Sequence, residues 1–146
     1  MFRIFILMLL GVFAIGCDNE IIPSEVPSVV ENTFKTHFPN ATEVEWELYG
    51  EDFEVDFEVN RTDYSARIND AGNLLDYKYE IGKDALPSSV IAVLQTEYSK
   101  KTWEDPKILV SGENSYYQIE IDGFLNDKKI VLDSTGKKIE TIKYWN

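Results

Sequence analysis

A chain of 146 residues with 26 acidic and 14 basic side chains carries a formal charge of −12, which excludes the basic face that nucleic acid and anionic headgroups require. Its 44% hydrophobic and 13% aromatic content excludes wholesale disorder and suffices for one domain, or for two half-domains sharing a core. A single cysteine, Cys17, excludes an intrachain disulfide.

The first stretch explains that cysteine. Met1-Phe2-Arg3 is a short cationic start, Ile4 to Ile15 is apolar, and Gly16-Cys17 gives way abruptly to Asp18-Asn19-Glu20. This is the layout of a secretory signal over residues 1–16, and an apolar run of about 12 residues is too short to span a bilayer. Ala14-Ile15-Gly16-Cys17 resembles a bacterial lipobox, with Ala14 where leucine is usual. That resemblance implies a lipid on Cys17 and a membrane partner. The protein would then sit in the bacterial envelope, facing the periplasm or the cell surface, with the outer membrane favoured. Each buried acyl methylene adds about 0.8 kcal/mol to such an anchor. The alternative is an ordinary cleaved signal with a chance cysteine. The acids after Cys17 resemble sorting signals that send lipoproteins to the surface. Residues 17–25, polar and containing Pro23, read as a lipidated tether.

From Val26 the pattern becomes helical. Val26, Val29, Val30, Thr33, Phe34 and Phe38 fall three and four apart, Pro27 suits a first turn, and Pro39-Asn40 ends the run. The spacing predicts a helix over 27–37. Val44, Trp46 and Leu48 then alternate with glutamates, and Phe53–Val59 alternates strictly between apolar and acidic residues. Tyr64, Ala66 and Ile68 form a third alternating run, and Leu74 to Glu80 a fourth. Short turns between them predict antiparallel pairing.

After Gly82-Lys83-Asp84 the pattern restarts. Leu86-Pro87-Ser88 answers Val26-Pro27-Ser28; Val90, Val93, Leu94 and Tyr98 answer Val30, Thr33, Phe34 and Phe38. Ile108–Val110, the run through Ile119-Glu120-Ile121, Ile130–Asp133 and Ile139 to Tyr144 read as four more strands. Gly136 answers Gly72. The expected architecture is α+β: two tandem helix-plus-four-strand units, 26–82 and 83–146, in one continuous curved antiparallel sheet. Both helices cover one face and acidic rows stay wet on the other.

With the repeat in view, the chain resembles a known family. Ile130-Val131-Leu132-Asp133-Ser134-Thr135-Gly136-Lys137-Lys138-Ile139 resembles the strand–Asp-x-x-Gly–strand hairpin of PepSY-type domains. Ala66 to Leu75 is similar, with Asn69 in the aspartate position. Together with Phe38-Pro39, Glu45-Trp46-Glu47 and the Pro-Ser helix openers, these features resemble the PepSY-like, β-lactamase-inhibitor-like bacterial lipoproteins. The resemblance implies the fold of β-lactamase inhibitory protein, whose sheet can grip a protein partner. Fold likeness does not carry function over. This chain shows no match to the inhibitor's contact residues and cannot form its disulfides.

The candidate partner-binding face comprises Glu45, Glu47, Glu54, Asp56, Glu58, Arg67 and Lys78 from the first unit, with Tyr116, Gln118 and Glu120 from the second. Arg67 and Lys78 point to the acidic side, where cross-strand pairs are worth about 0.2–1 kcal/mol each. Calcium needs oxygens converging from a tight loop, and strand-borne acids diverge. Tyr116 and Trp103 read either as recognition aromatics or as core residues one register away. His37, the sole histidine, reads as a solvated helix residue, and its counterpart is Glu97. No nucleophile-elbow pattern or Gly-rich phosphate loop occurs, and ligands for zinc are lacking. No catalysis, cofactor or metal is therefore expected. Asp133-Ser134-Thr135 resembles a bacterial O-glycosylation acceptor, placing a candidate glycan on Ser134; the Asn40 and Asn60 sequons carry no expectation. The resulting expectation is a non-catalytic extracytoplasmic module binding or inhibiting a protein through its open sheet face. The alternatives are a structural or stress-related envelope protein without a specific ligand and, more remotely, a hydrolase.

Overall fold

The alternating stretches become strands and the stretches with three- and four-residue spacing become helices. The computed structural model describes residues 20–146, so the expected signal over 1–16 and the lipid site Cys17 lie outside the described residues. The helices are α1 (Ser28–His37) and α2 (Ser88–Glu97). The strands are β1 (Glu20–Ile21), β2 (Thr42–Tyr49), β3 (Asp52–Val59), β4 (Thr62–Ile68), β5 (Leu74–Glu80), β6 (Trp103–Ser111), β7 (Asn114–Ile121) and β8 (Lys128–Leu132). They form one sheet in chain order, every neighbouring pair antiparallel.

Both helices lie on the same face. Along β3, Phe53, Val55 and Phe57 sit opposite Ile68, Ala66 and Tyr64 of β4, and α1 brings Val30 and Phe34 down on this row and on Trp46. In the second unit Val90 and Leu94 of α2 meet Ile119, Ile121, Ile130 and Leu132. Between the two cores Tyr64 stacks on Tyr79, ring centroids 5.0 Å apart, and Tyr79 faces Ile108 across the β5–β6 junction. One sheet therefore carries two adjoining cores.

The duplicated hairpins anchor the helices. Asn69 and Asp133 each accept, on a side-chain oxygen, the main-chain N–H four residues on, so amide and carboxylate serve the same turn. The glycines that follow, Gly72 (φ +81°) and Gly136 (φ +84°), press against α1 and α2. Thr33 donates its hydroxyl proton to the Gly72 carbonyl at 2.6 Å, and Ser89 donates to that of Ser134.

Four expectations need correction. Residues 20–25 are not a tether: Glu20 and Ile21 pair with Glu47 and Trp46, and Pro23–Glu25 is a 3-10 turn, matched by Lys83–Ala85 before α2. The strand expected at Ile108–Val110 begins earlier, at Trp103, because a bulge at Asp105 (φ +47°) carries Pro106 past the ladder and lets pairing resume. The second unit lacks its fourth strand. A single bridge, Leu132 to Lys138, and one hydrogen bond from Ile139 N–H to the Val131 carbonyl (2.9 Å) hold the chain to β8. Beyond Ile139 it leaves the sheet edge. Finally, the face opposite the helices is not simply wet, since this departing segment crosses it.

Candidate functional site

Pairing register places every predicted face residue on the side away from the helices. Glu45 faces Asp56, Glu47 faces Glu54, Glu54 faces Arg67, and Asp56 connects through Ser65 to Lys78. The row continues from Lys78 to Leu109 and Tyr116. Gln118 lies opposite Lys107 and Val131, and Glu120 opposite Glu104 and Lys129. Tyr116 therefore lies on the open face, the first of the two readings left open for it.

The residues fall into two groups. Glu45, Glu47 and Asp56 are exposed, and Glu58 is half-buried. Glu54, Arg67 and Lys78 sit beneath the final segment, and Gln118 is fully buried on the same side of the sheet. Arg67 Nε donates to Glu54 Oε2 at 3.0 Å, the cross-strand pair that the sequence anticipates. Trp145, 5% exposed, donates its indole N–H to the other oxygen of Glu54 at 2.8 Å. The Arg67 guanidinium stacks on two rings, 3.9 Å from Trp145 and 4.0 Å from Tyr49. Lys78 lies 4.6 Å from the Trp145 ring centre and donates to the main-chain oxygen of Asn146, while Lys129 holds the Asn146 side chain. A desolvated cation–π contact is worth up to about 2 kcal/mol, so this seat outweighs the exposed acidic rows energetically. A cleft of about 350 Å³ opens beside it, lined by Glu47, Tyr49, Arg67 and Lys143.

Burial shapes the electrostatics of this face. The Lys78 ammonium is pushed down to about 8, first by loss of water and then by Lys107, against the opposing pull of Glu54 and Asp56. Burial raises the Asp76 carboxyl despite the Arg67 charge, and raises Tyr144 to about 12, with the Glu120 and Asp105 charges adding to it. One Asp76 oxygen and both polar atoms of the Gln118 carboxamide are buried without a hydrogen-bond partner.

These shifts set an alkaline prediction. An unfolded chain keeps Lys78 protonated up to its ordinary value of 10.5, whereas the folded chain releases that proton near 8. The unfolded state binds more protons in that window, so stability rises with pH through it. A gain of about 2 kcal/mol is expected between pH 7.5 and 10 in wild type, measured by urea unfolding, and its loss in Lys78→Met. Above pH 10 the raised Tyr144 acts oppositely and flattens the curve. A stability that falls steadily from pH 8 upward would contradict the assignment.

Other singled-out residues lie elsewhere. His37 is exposed on α1, its Nδ1 2.9 Å from the Thr33 carbonyl, on the helix side of the sheet. Trp103 packs against the second core and under the Lys83 ammonium. Ser134 is exposed in the turn that Asp133 organises. Among the described residues no group of three or more His, Cys, Asp or Glu side chains is placed to hold a metal. The sequence reading missed Trp145, Tyr49, Asp76 and Leu109. A signal for Trp145 was available: two adjacent aromatics, Tyr144-Trp145, cannot both face one side of a strand.

An open antiparallel sheet in chain order, with two helices on one face, is the BLIP-like fold. The chain is similar to a BLIP-like protein from Bacteroides fragilis, with a TM-score of 0.71 and 17% identity over 82% of this chain and 86% of that one. It is similar as well to a DUF2874 family protein from Bacteroides uniformis, with a TM-score of 0.73 and 19% identity over 78% and 86% of the two chains. A Bacteroides eggerthii protein, provisionally assigned to the periplasm, gives a TM-score of 0.74 and 16% identity over 79% and 86%. At these identities the fold is what is shared. No protein-family model and no curated protein matches the chain.

Proposed function

We propose that this protein is a non-catalytic, extracytoplasmic binding module of two PepSY-like units, 26–82 and 83–146, anchored by lipid on Cys17 and engaging a protein partner through its open sheet face. The observation that carries this reading is the seat around Arg67. The Arg67 guanidinium, lying on the Tyr49 ring, converges there with a carboxylate and an ammonium on a peptide segment that presents Trp145, and Arg, Tyr and Trp are the residues that dominate protein interfaces. The fold of the neighbours supports it, as does the provisional periplasmic assignment of one of them. The segment's occupancy of the face favours a second reading, an envelope protein whose sheet is closed by its own chain.

One experiment separates the two. Crosslinking in the native envelope is compared between wild type and the double charge reversal Glu45→Lys with Asp56→Lys, both residues being exposed and outside the Trp145 seat. Loss of a specific crosslinked species from the variant, at an unchanged melting temperature, supports partner binding. An identical pattern favours the structural reading. In the same preparations Cys17→Ser is expected to shift the protein out of the membrane fraction, and its retention there would sink the lipid anchor.

A further inference from the structure

We propose that the open face reads a tryptophan-bearing, basic-flanked segment of its partner, and that residues 139–146 are a built-in competitor occupying the same seat. This rests on the partner-binding reading above and specifies its ligand. The structure shows what the seat accepts. Glu54 takes an indole N–H, the Arg67 guanidinium, itself lying against the Tyr49 ring, supplies a flat surface for the indole, and Lys78 takes the next main-chain oxygen. The rim is acidic, with exposed Glu45, Glu47 and Asp56, and Lys143 of the bound segment lines the cleft beside Glu47. Charge complementarity therefore selects Lys or Arg beside the tryptophan.

The segment is an imperfect occupant. Beyond the contacts of Lys138 and Ile139 with β8 it extends no ladder, so it is tied down by side chains. The same side of the sheet carries Gln118, with both carboxamide atoms buried and unsatisfied, and one unpartnered Asp76 oxygen, none of which the segment satisfies. A segment that reaches and satisfies these groups gains over one that leaves them unmet. Its advantage is offset by tethering, because a linked competitor acts at roughly millimolar effective concentration.

The probe is the fluorescein-labelled, acetylated peptide Ile-Glu-Thr-Ile-Lys-Tyr-Trp-Asn, titrated by anisotropy into the full chain. Trp145→Ala is expected to bind it about tenfold or more tightly than wild type, because weakening the competitor raises the fraction of open seats. Replacing the peptide's tryptophan by alanine, or adding Arg67→Ala to the protein, should remove most of that binding. If Trp145→Ala does not fold, Trp145→Phe keeps a ring but loses the N–H to Glu54, and the same ordering is expected. In wild type, saturating peptide should move the Trp145 indole N–H resonance. A folded variant that ignores the peptide at millimolar concentration overturns the proposal. So does a concentration-dependent dimer that vanishes in Trp145→Ala, which would make a second copy the occupant. If the peptide fails while the crosslink still depends on Glu45 and Asp56, the tryptophan specificity falls and the partner-binding face stands.

Discussion

Phe34→Ala is expected to lower the free energy of unfolding by about 3–5 kcal/mol, the cost of deleting a buried aromatic ring from a packed core. Phe34 is 4% exposed and projects from α1 into a ring cluster that cannot easily close over a void. It meets Phe57 edge-on at 5.0 Å and Trp46 at 5.3 Å, with Phe38 at 5.7 Å. Those geometries add to simple burial, because ring edges and faces attract. The transition should stay single despite the two cores, since β5 and β6 pair across the junction and Tyr64 stacks on Tyr79 there. Urea unfolding followed by circular dichroism and tryptophan fluorescence checks both points. A shift of the midpoint at constant slope fits the expectation. Two resolved transitions would mean that the units fold separately.

That cluster was legible because period carries the information. Val30 and Phe34 stand four apart on a helix, and Phe53, Val55 and Phe57 stand two apart on a strand, so each lands on its buried face without tertiary knowledge. The acidic residues of β3 were equally legible as the opposite face. What lies over that face was not. Residues 139–144 read as a strand through their apolar content, yet Ile139 and Ile142 are three apart and fall on opposite sides of any strand. Local pattern cannot say that such a stretch gains more by crossing a sheet than by extending its edge. The energetic reason lies far away in sequence: Glu54 and Trp145 are 91 positions apart. Lys78 shows the same limit. Alternation places it correctly, but its burial follows from a contact 68 positions on.

The crossing changes what the acidic surface means. A sheet face carrying Glu45, Glu47, Glu54, Asp56 and Glu58 in adjacent rows is self-repelling, and strand pairing brings Glu47 directly opposite Glu54. Arg67 relieves Glu54 on one side and the Trp145 N–H on the other. Glu45 and Asp56 are exposed and lie outside the Trp145 seat, so negative charge is concentrated on the rim beside it. On the proposed partner-binding reading, that distribution would steer a basic partner, and the steering would weaken with salt.

Gly136→Ala is expected to cost about 3 kcal/mol, and the comparison with three other glycines shows why. Gly50, Gly72, Gly112 and Gly136 all have positive φ, between +59° and +84°, so any of them loses about 1–2 kcal/mol on gaining a side chain. At Gly50 and Gly112 a new Cβ would meet nothing within 4 Å, and the backbone term is the whole effect. At Gly72 it would come within 2.5 Å of Val29 Cγ2, which is on a 48% exposed side chain that can turn away, and 3.1 Å from the Val29 carbonyl oxygen, a milder main-chain contact than the one at Gly136. At Gly136 the neighbour is the Ser89 carbonyl oxygen at 2.8 Å, main chain in the first turn of α2. That oxygen cannot move without lifting the helix, whose Val90 and Leu94 are buried beneath it, and such overpacking adds about 1–3 kcal/mol. The expected order of destabilisation is Gly136 first, Gly72 next, then Gly112 and Gly50 together, read from urea midpoints of the four alanine variants. Equal losses at Gly136 and Gly112 would mean that α2 does not rest on its hairpin, and the two-unit packing would then need another explanation.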